Sequence, residues 1–297
     1  MSKIQIGVIG GGISDRRMIP QGIIPSKNAE LFAIWDIDKA TTERLADKYK
    51  VSAAESIEAL LGTVNMDAVY IASPNQFHAE QAIQAAKAGI HVLVEKPLAL
   101  TVAEARKMIR TVERKGVKAM EDYMMPFHTL NMEITEIVLR GNIGDVVSGR
   151  AQLTCWYPPI QGAWRQNPAL SGGGALMDMA THMYDAIEKI TGQRIVEVFA
   201  NAKTLTHSYK SDDSSTTMLI LKNGATFTVD CYYNIPDAAA KNRLEIYGTK
   251  GSILAEGTLG QSNLGKVEVI ISDQGAYDAK QDRPLEVATK KLAANTN

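Results

Sequence analysis

Ile4-Gln5-Ile6-Gly7-Val8-Ile9-Gly10-Gly11-Gly12 opens the chain with an apolar run that ends on three consecutive glycines. The run has the length of a buried β-strand, and glycines directly after it are typical of a tight turn from a strand into a helix. In open parallel α/β sheets, this turn lets the backbone approach a pyrophosphate at the N-terminus of the helix. The stretch therefore predicts the first strand and the phosphate-binding turn of a dinucleotide-binding sheet.

Strand and helix signals alternate after this turn. The capping box Thr101-Val102-Ala103-Glu104 opens a helix that should run to Gly116. Strands alternating with helices indicate βαβ units and a parallel sheet. We expect an α/β domain over residues 1–122, with further strands at 31–35, 66–72 and 91–94 and helices at 40–49 and 77–88.

The pattern changes beyond residue 122. Helices followed by a run of strands predict an α+β domain, over residues 123–297, with an open and mainly antiparallel sheet. Residues 273–297 are polar and weakly patterned, which predicts an extension. The predicted helices are 127–140 and 175–191, and the predicted strands are 146–157, 194–203, 215–222, 225–233, 242–247 and 252–256.

The composition excludes several classes of protein. The 297 residues include 32 basic and 33 acidic residues, for a net charge of -1, and no basic stripe suggests a nucleic-acid or membrane surface. Cys155 and Cys231 lie far apart and have neither metal-binding nor redox spacing, which fits a reducing compartment. The first residues lead straight into a strand, so we expect a soluble cytoplasmic protein without a signal peptide.

The glycine turn and the end of the second strand carry the nucleotide signals. The pattern G-x-G-x-x-G is met at Gly10 and Gly12, but Asp15 occupies the position of the third glycine. Either Ser14 is the small packing residue of a shorter turn, or Asp15 caps the helix. Asp36 could accept hydrogen bonds from both ribose hydroxyls and repel a 2′-phosphate, which favours NAD over NADP. The alternative is a simple turn aspartate.

Two further motifs follow later strands of the same predicted sheet. Ser73-Pro74-Asn75 with His78 and Glu95-Lys96-Pro97 both stand at the carboxyl edge, where such sheets hold ligands. Pro97 restricts the backbone of Lys96 and so helps to aim its ammonium group. The alternatives are a helix cap at Ser73 or Asn75, a structural histidine and an exposed loop lysine.

In the second domain, Asp178, His182 and Asp185 are spaced i, i+4 and i+7 and share one helix face. A histidine beside a carboxylate is a proton-transfer pair, because the carboxylate fixes the tautomer and raises the basicity. A metal site is the weaker interpretation, since no Cys/His cluster completes it. A solvated helix stripe is the remaining alternative.

Aromatic residues flank the proline-containing loop of this domain. Trp156-Tyr157 and Trp164-Arg165 suit stacking on a sugar or a nicotinamide and binding of its oxygens. They could equally fill a domain interface.

The ordered set formed by the glycine turn, Ser73-Pro74-Asn75-x-x-His78, Glu95-Lys96-Pro97 and Asp178-x-x-x-His182-x-x-Asp185 resembles the Gfo/Idh/MocA oxidoreductases, from residue 3 to about 256. The resemblance implies a Rossmann domain followed by a domain whose helices pack on one face of a large sheet, the free face making homodimers or homotetramers. It also implies hydride transfer between NAD or NADP and a secondary alcohol or ketone of a sugar, inositol or related polyol, and Asp36 makes NADP the less expected of the two cofactors.

The same resemblance implies roles for individual residues. Lys96 would contact the reacting hydroxyl and the nicotinamide ribose, Asp178 and His182 would be the carboxylate and the acid/base histidine, and Trp164-Arg165 would lie near the nicotinamide. One departure is Pro126, which stands where many relatives have an arginine. The predicted substrate-binding residues are Tyr123, Tyr157, Trp164, Asp178 and His182. The predicted cofactor-binding residues are Gly10, Gly11, Gly12, Ile13, Ser14, Asp36, Ser73, Pro74, Asn75, His78, Glu95, Lys96 and Arg165.

Two alternative functions stay open within this resemblance. Some relatives are non-catalytic sensors that bind dinucleotide and sugar, and others use NAD transiently to cleave glycosidic bonds. The joint presence of Lys96, Asp178 and His182 favours an enzyme over a sensor, because a sensor needs no proton-transfer residues.

Overall fold

A computed structural model of the chain describes residues 2–272, 277, 279 and 287–293. The chain divides into two compact units. The first runs to Asp122 and includes Ala169–Gly172, whereas the second comprises Tyr123–Pro168 and the residues from Gly173 onward. In the described part of the chain, no helix is long and apolar enough to cross a membrane.

The α-helices are α1 (Gly11–Ser14), α2 (Lys39–Tyr49), α3 (Ile57–Leu61), α4 (His78–Lys87), α5 (Val102–Lys115), α6 (Thr129–Leu139), α7 (Pro168–Ser171) and α8 (Thr181–Thr191). Two π-helical segments are Met18–Ile23 and Leu176–Ala180. Short 3-10 helices are Asn75–Phe77, Met125–Phe127, Trp164–Gln166 and Asp237–Ala239.

The first unit is built on a six-stranded sheet in which every pairing is parallel. The strand order is β3-β2-β1-β4-β5-β6, so the order reverses between β1 and β4. The predicted parallel α/β sheet is thereby confirmed. The strands are β1 (Ile4–Ile9), β2 (Ala29–Trp35), β3 (Ser52–Ala53), β4 (Ala68–Ile71), β5 (His91–Val94) and β6 (Ala119–Glu121).

Both faces of this sheet are buried. Successive strand residues point to opposite faces, and two successive residues of β1 are both buried. Val8 packs into the core that contains Leu45 of α2, whereas Ile9 packs into the core on the other side, with Ala82 of α4. Burying such a side chain contributes roughly 1.5–3 kcal/mol. The apolar run at the start of the chain is therefore continuous rather than alternating, as expected for a parallel strand covered on both faces.

The second unit is built on an eight-stranded sheet in the order β14-β13-β12-β11-β7-β10-β9-β8. Only β7 and β10 pair in parallel among its described strands, which confirms the mainly antiparallel prediction. The strands are β7 (Val146–Thr154), β8 (Ile195–Lys203), β9 (Ser214–Leu221), β10 (Thr226–Tyr232), β11 (Arg243–Gly248), β12 (Gly251–Glu256), β13 (Lys266–Ser272) and β14 (Val287–Ala293).

Helices α6 and α8 cover one face of this sheet. Ile134 of α6 and Met183 of α8 are fully buried in one cluster with Phe227 and Val229 of β10. Residues at alternate positions point the other way, so Thr228 lies between these two buried residues and is only partly covered. The sheet therefore has one packed face and one outer face.

The expectation that residues 273–297 form only an extension is wrong for 287–293. These residues form β14, which pairs antiparallel with β13 from Ser272–Val287 to Lys266–Ala293. β14 is an edge strand in which residues 288–291 are exposed. Its sequence lacks the apolar alternation by which strands are recognised, which fits an edge strand whose side chains at 288–291 are exposed. The other residues of this range lie outside the described part.

Candidate functional site

The carboxyl ends of the strands in the first unit are held side by side by backbone hydrogen bonds. The amide of Gly10 donates to Trp35 O at 2.9 Å, and the amide of Ala72 donates to Ile9 O at 2.8 Å. The amide of Glu95 donates to Ile71 O at 2.9 Å. The glycine turn, Asp36, Ser73 and Lys96 therefore follow neighbouring strands at one edge, next to the point where the strand order reverses.

Two glycines of the turn, Gly10 and Gly12, lie in different surroundings. Gly10 has φ of 93°, and a Cβ there would lie 2.7 Å from the carbonyl carbon of Ala72, so the turn needs glycine at this position. A Cβ on Gly12 would meet nothing within 4 Å. Gly12 is exposed, so a side chain added there would enter open space.

The structure supports Ser14, rather than Asp15, as the explanation of the compact turn. Ser14 is 1% exposed and its hydroxyl donates to Gly10 O at 2.5 Å. The Asp15 carboxylate instead accepts hydrogen bonds from Lys48 Nζ and from the Tyr49 hydroxyl, each at 2.6 Å. Ser14 thus closes the turn from inside, and its predicted contact with a cofactor stays a prediction.

Asp36 directly follows β2 and binds the glycine turn. One carboxylate oxygen accepts the amide of Gly11 at 2.6 Å, and the other accepts the amide of Asp38 at 2.9 Å. Each oxygen has a second lone pair, so the carboxylate can still accept hydrogen bonds from ribose hydroxyls. Asp36 is therefore both a turn residue and a candidate cofactor ligand.

His78 lies inside the first unit. It is fully buried, and its Nδ1 and Nε2 lie 2.8 Å from Pro97 O and from Ser73 O, respectively. Burial lowers the pKa of His78 against the opposing effect of these two carbonyls. In this position the ring joins the Ser73 segment to the Lys96-Pro97 segment, so His78 can act on a cofactor only by holding those two segments.

Ser73 and Asn75 use their side chains for contacts other than helix capping. The Ser73 hydroxyl donates to Gln81 Oε1 at 2.6 Å, and Asn75 Nδ2 donates to Ser171 O at 2.8 Å. Neither the 3-10 helix Asn75–Phe77 nor α4 has a side-chain cap. The Asn75 bond ties the segment Ala169–Gly172 to the first unit.

Lys96 follows β5 in an acidic environment. It is half-buried, and its peptide bond to Pro97 is cis. The neighbouring Glu95 carboxylate accepts the hydroxyl of Tyr70 at 2.7 Å. Burial, and then the charge of Glu95, raise the pKa of Asp122 to about 6. The carboxylates of Glu95 and Asp122 thus follow β5 and β6, two neighbouring strands, and Lys96 comes directly after Glu95.

In the second unit, the carboxylate of Asp178 is held by two side chains distant in sequence. The Tyr233 hydroxyl donates to Asp178 Oδ2 at 2.6 Å, and Arg165 Nε lies 3.6 Å from Asp178 Oδ1. Burial, followed by the charge of Asp178, raises the pKa of Tyr233 well above its usual value. The tyrosine therefore stays protonated and is a permanent donor to this carboxylate.

The other predicted residues of this unit form an aromatic environment. The Tyr123 ring meets the His182 ring edge-on, with centroids 5.5 Å apart, and His182 is 8% exposed. The Tyr157 ring lies 5.0 Å from that of Tyr233. The guanidinium of Arg165, predicted to bind the cofactor, stacks over Trp164 at 4.4 Å and pairs with Asp178.

The sequence prediction missed three residues that the structure places at these two sites: Tyr70, Tyr233 and Asp212. A signal existed for Tyr233, because it lies two residues after Cys231, a buried strand residue, and thus on the face of the sheet that the helices cover. No local signal connects Tyr70 with Glu95, which are 25 residues apart.

Comparisons with known proteins place the chain in a family. Residues 4–123 match "Oxidoreductase family, NAD-binding Rossmann fold", and residues 132–254 match "GFO/IDH/MocA C-terminal domain". The chain belongs to the Gfo/Idh/MocA family, which confirms the resemblance. In a solved structure of aldose-aldose oxidoreductase from Caulobacter crescentus complexed with glycerol, the fold matches with a TM-score of 0.82 at 26% identity, covering 90% of this chain and 80% of that one.

Named relatives are sugar oxidoreductases. The 1,5-anhydro-D-fructose reductase of Ensifer adhaerens is 28% identical over 71% of this chain and 63% of the relative. The D-glucoside 3-dehydrogenase of Escherichia coli is 32% identical over 64% of this chain and 55% of the relative. The D-xylose 1-dehydrogenase (NADP(+)) 2 of Haloferax volcanii is 32% identical over 79% of this chain and 71% of the relative. The chain thus spans less than two thirds of the length of the first two relatives.

Proposed function

We propose that this protein is a nicotinamide-dependent oxidoreductase that transfers hydride between the cofactor and a secondary alcohol or ketone of a sugar, inositol or related polyol. The observation that carries the proposal is the carboxyl edge of the first sheet. There, a Cβ added to Gly12 would meet nothing within 4 Å, the amide of Gly11 donates to Asp36, and Lys96 follows β5. Membership of an oxidoreductase family supports the same conclusion.

Each residue of the proposed site has a chemical task. The nicotinamide cofactor supplies the hydride acceptor, and the protein supplies orientation and proton transfer. His182 takes the proton of the reacting hydroxyl, and Asp178, held by Tyr233 and Arg165, orients the histidine. Lys96 donates a hydrogen bond to the same oxygen and stabilises the negative charge that develops on it.

Turnover of a substrate panel tests this proposal. Purified protein with NAD is assayed against polyols, inositols and sugars, and with NADH against keto sugars. We expect NADH and a ketone in equal amounts for at least one member. Tight NAD binding without NADH formation on any of these compounds would support a sensor instead. Release of an aglycone without net NADH would support a glycoside-cleaving enzyme.

Gly12→Ala is expected to weaken NAD binding about tenfold or more, while the midpoint of thermal unfolding stays at the wild-type value. The added methyl enters open space and does not strain the backbone, because φ of Gly12 is not positive. It occupies the volume into which the pyrophosphate would otherwise fit. Isothermal titration calorimetry with NAD and a thermal melt of the cofactor-free protein measure the two quantities.

Gly10→Ala is the matched control for this prediction. Here the methyl would collide with the backbone of Ala72 and Ser73 at a φ of 93°, so the unfolding midpoint itself should fall. Wild-type NAD affinity in Gly12→Ala would contradict a cofactor placed against this turn.

We also propose that Asp36 sets a preference for NAD over NADP. Its carboxylate at the end of β2 repels a 2′-phosphate, so Asp36→Ser should lower the ratio of kcat/KM for NAD to that for NADP by about tenfold or more. Asp38→Ser is the control, because Asp38 is an exposed cap of α2 two residues away. An unchanged ratio in Asp36→Ser would contradict the role of Asp36 in this preference.

We further propose that the outer face of the second sheet joins copies of the chain into a homodimer or homotetramer. Met218 of β9 is 41% exposed on this face, and Phe199 of β8, paired with it, is 55% exposed. Exposed apolar side chains on a broad sheet suit such an interface. Light scattering of the purified protein measures the mass, and a monomer at micromolar concentration would contradict the proposal.

A further inference from the structure

The start of the helical segment that carries Asp178 and His182 is anchored by Asp212, a residue distant in sequence. Its two carboxylate oxygens accept the amide of Gly174 at 2.7 Å and the amide of Leu176 at 2.8 Å. Its backbone oxygen accepts the intervening amide of Ala175 at 2.9 Å. Three successive amides at the start of the segment thus bind one aspartate.

This anchoring replaces an ordinary helix cap. The first amides of a helix have no partner within the helix and are usually satisfied by a nearby side chain. The N-cap of the segment Leu176–Ala180 is Ala175, whose side chain cannot accept a hydrogen bond. Gly174 is required for the arrangement, because a Cβ there would collide with Asp212 O. Asp212 lies 36 residues beyond Leu176, so the start of the segment is fixed by tertiary structure.

The next residue, Asp213, binds three backbone amides of residues 205–207. It is fully buried, and its carboxylate accepts the amides of Leu205, Thr206 and His207, each at 2.8 Å. Burial would raise the pKa of Asp213, but these amides and the Ser214 hydroxyl outweigh that effect and lower it. The carboxylate is therefore an ionised acceptor.

Asp213 also reaches the tyrosine that holds Asp178. The backbone oxygen of Asp213 accepts the amide of Tyr233 at 2.8 Å, and the Tyr233 hydroxyl donates to Asp178 at 2.6 Å. His207, held by Asp213, has Nε2 3.1 Å from Tyr233 O. Two adjacent aspartates therefore fix both the backbone that carries Asp178 and the side chain that contacts its carboxylate.

We propose that Asp212 and Asp213 are positioning residues that hold Asp178 and His182 in reactive geometry. The proposal rests on the function proposed above for Asp178 and His182. In this role Asp212 acts through the amides of 174–176, and Asp213 acts through Tyr233. A displacement of about 1 Å in a catalytic group can lower turnover about a hundredfold. We therefore expect loss of this cap to lower kcat more than it weakens substrate binding.

The test compares Asp212→Ala and Asp212→Asn, using any substrate found in the panel. Alanine removes both carboxylate acceptors, whereas asparagine keeps one oxygen. We expect kcat to fall about thirtyfold to a hundredfold in Asp212→Ala and less in Asp212→Asn, with the dissociation constant for NAD unchanged. Hydrogen exchange at the amides of Gly174 and Leu176, which donate to the carboxylate, should accelerate in the same order, and this readout does not depend on activity.

Asp230→Asn is the matched control. Asp230 lies on the outer face of β10, within the same sheet, where it pairs with Arg150 at 3.5 Å. Asp230→Asn should change neither kcat nor the exchange of the Gly174 and Leu176 amides. If Asp212→Ala does not fold, Asp212→Asn decides by the same two readouts. Asp213→Asn decides by kcat together with hydrogen exchange at the amides of Leu205, Thr206 and His207.

The outcomes separate this inference from the proposed function. Wild-type kcat in a folded Asp212→Ala, with kcat lost in Asp178→Asn, overturns the positioning role alone. Wild-type kcat in Asp178→Asn overturns the proposed role of Asp178 itself. Wild-type exchange of the Gly174 and Leu176 amides in Asp212→Ala overturns the anchoring by the carboxylate, whatever the activity.

Discussion

Replacing His182 with glutamine is expected to lower kcat about 10³-fold and to leave the dissociation constant for NAD unchanged. Glutamine has a similar length and can still make hydrogen bonds, but it cannot accept a proton at the pH of the assay. The acid limb that a histidine base gives to the pH profile of kcat should disappear at the same time. Steady-state kinetics across pH and calorimetry with NAD measure these effects.

The control for this variant is His91→Gln. His91 lies at the start of β5, far along the strand from its carboxyl end, is exposed, and accepts the amide of Lys118. Its replacement should leave both kcat and the pH profile at wild-type values. A His182→Gln enzyme that keeps kcat within a few-fold of wild type, with the acid limb intact, would exclude His182 as the base.

The second large effect is expected for Lys96→Met, which should lower kcat by about 10²–10³-fold. Methionine keeps the apolar stem of the side chain and removes the ammonium group that stabilises developing negative charge on the reacting oxygen. NAD affinity should fall much less than kcat, because the proposed site assigns the pyrophosphate to the glycine turn and the adenosine ribose to Asp36. Single-turnover kinetics with pre-bound NAD separates the two effects.

Lys87→Met serves as the control for the lysine. Lys87 lies in the last turn of α4 and is exposed, so its charge interacts mainly with that helix end. Its replacement should not change turnover. If Lys96→Met leaves turnover within a few-fold of wild type, the assignment of Lys96 to the reacting oxygen is wrong.

Much of the first unit could be predicted because its signals are local. The run Ile4–Ile9 is apolar throughout, as a strand covered on both faces must be. Thr101 and Glu104 form the predicted capping box, and Gly116 ends α5 in left-handed geometry. Motifs that follow parallel strands meet at one edge whatever the details of packing. The succession of strands and motifs along the chain was therefore enough to predict the sheet edge at which Asp36 and Lys96 lie.

The remaining features depend on contacts that no local pattern encodes. The helix of Asp178 begins with a π-helical segment capped by Asp212, and nothing near residue 175 indicates that partner. His78 points into the interior because Ser73 O and Pro97 O both lie within reach of its ring. A histidine at that position of a surface helix would look the same in sequence. Edge strand β14 has no apolar alternation, and its residues 288–291 are exposed, so no local pattern predicts it as a strand.

Transfer of deuterium tests the central claim most directly. A panel of sugars and polyols labelled with deuterium at the carbinol carbons is incubated with the protein and NAD, and the cofactor is analysed by mass spectrometry. The proposed function predicts that deuterium from one substrate appears on the nicotinamide together with the matching ketone, and that His182→Gln slows this transfer about 10³-fold. NAD that binds but gains no deuterium from any of these compounds would contradict hydride transfer by this protein.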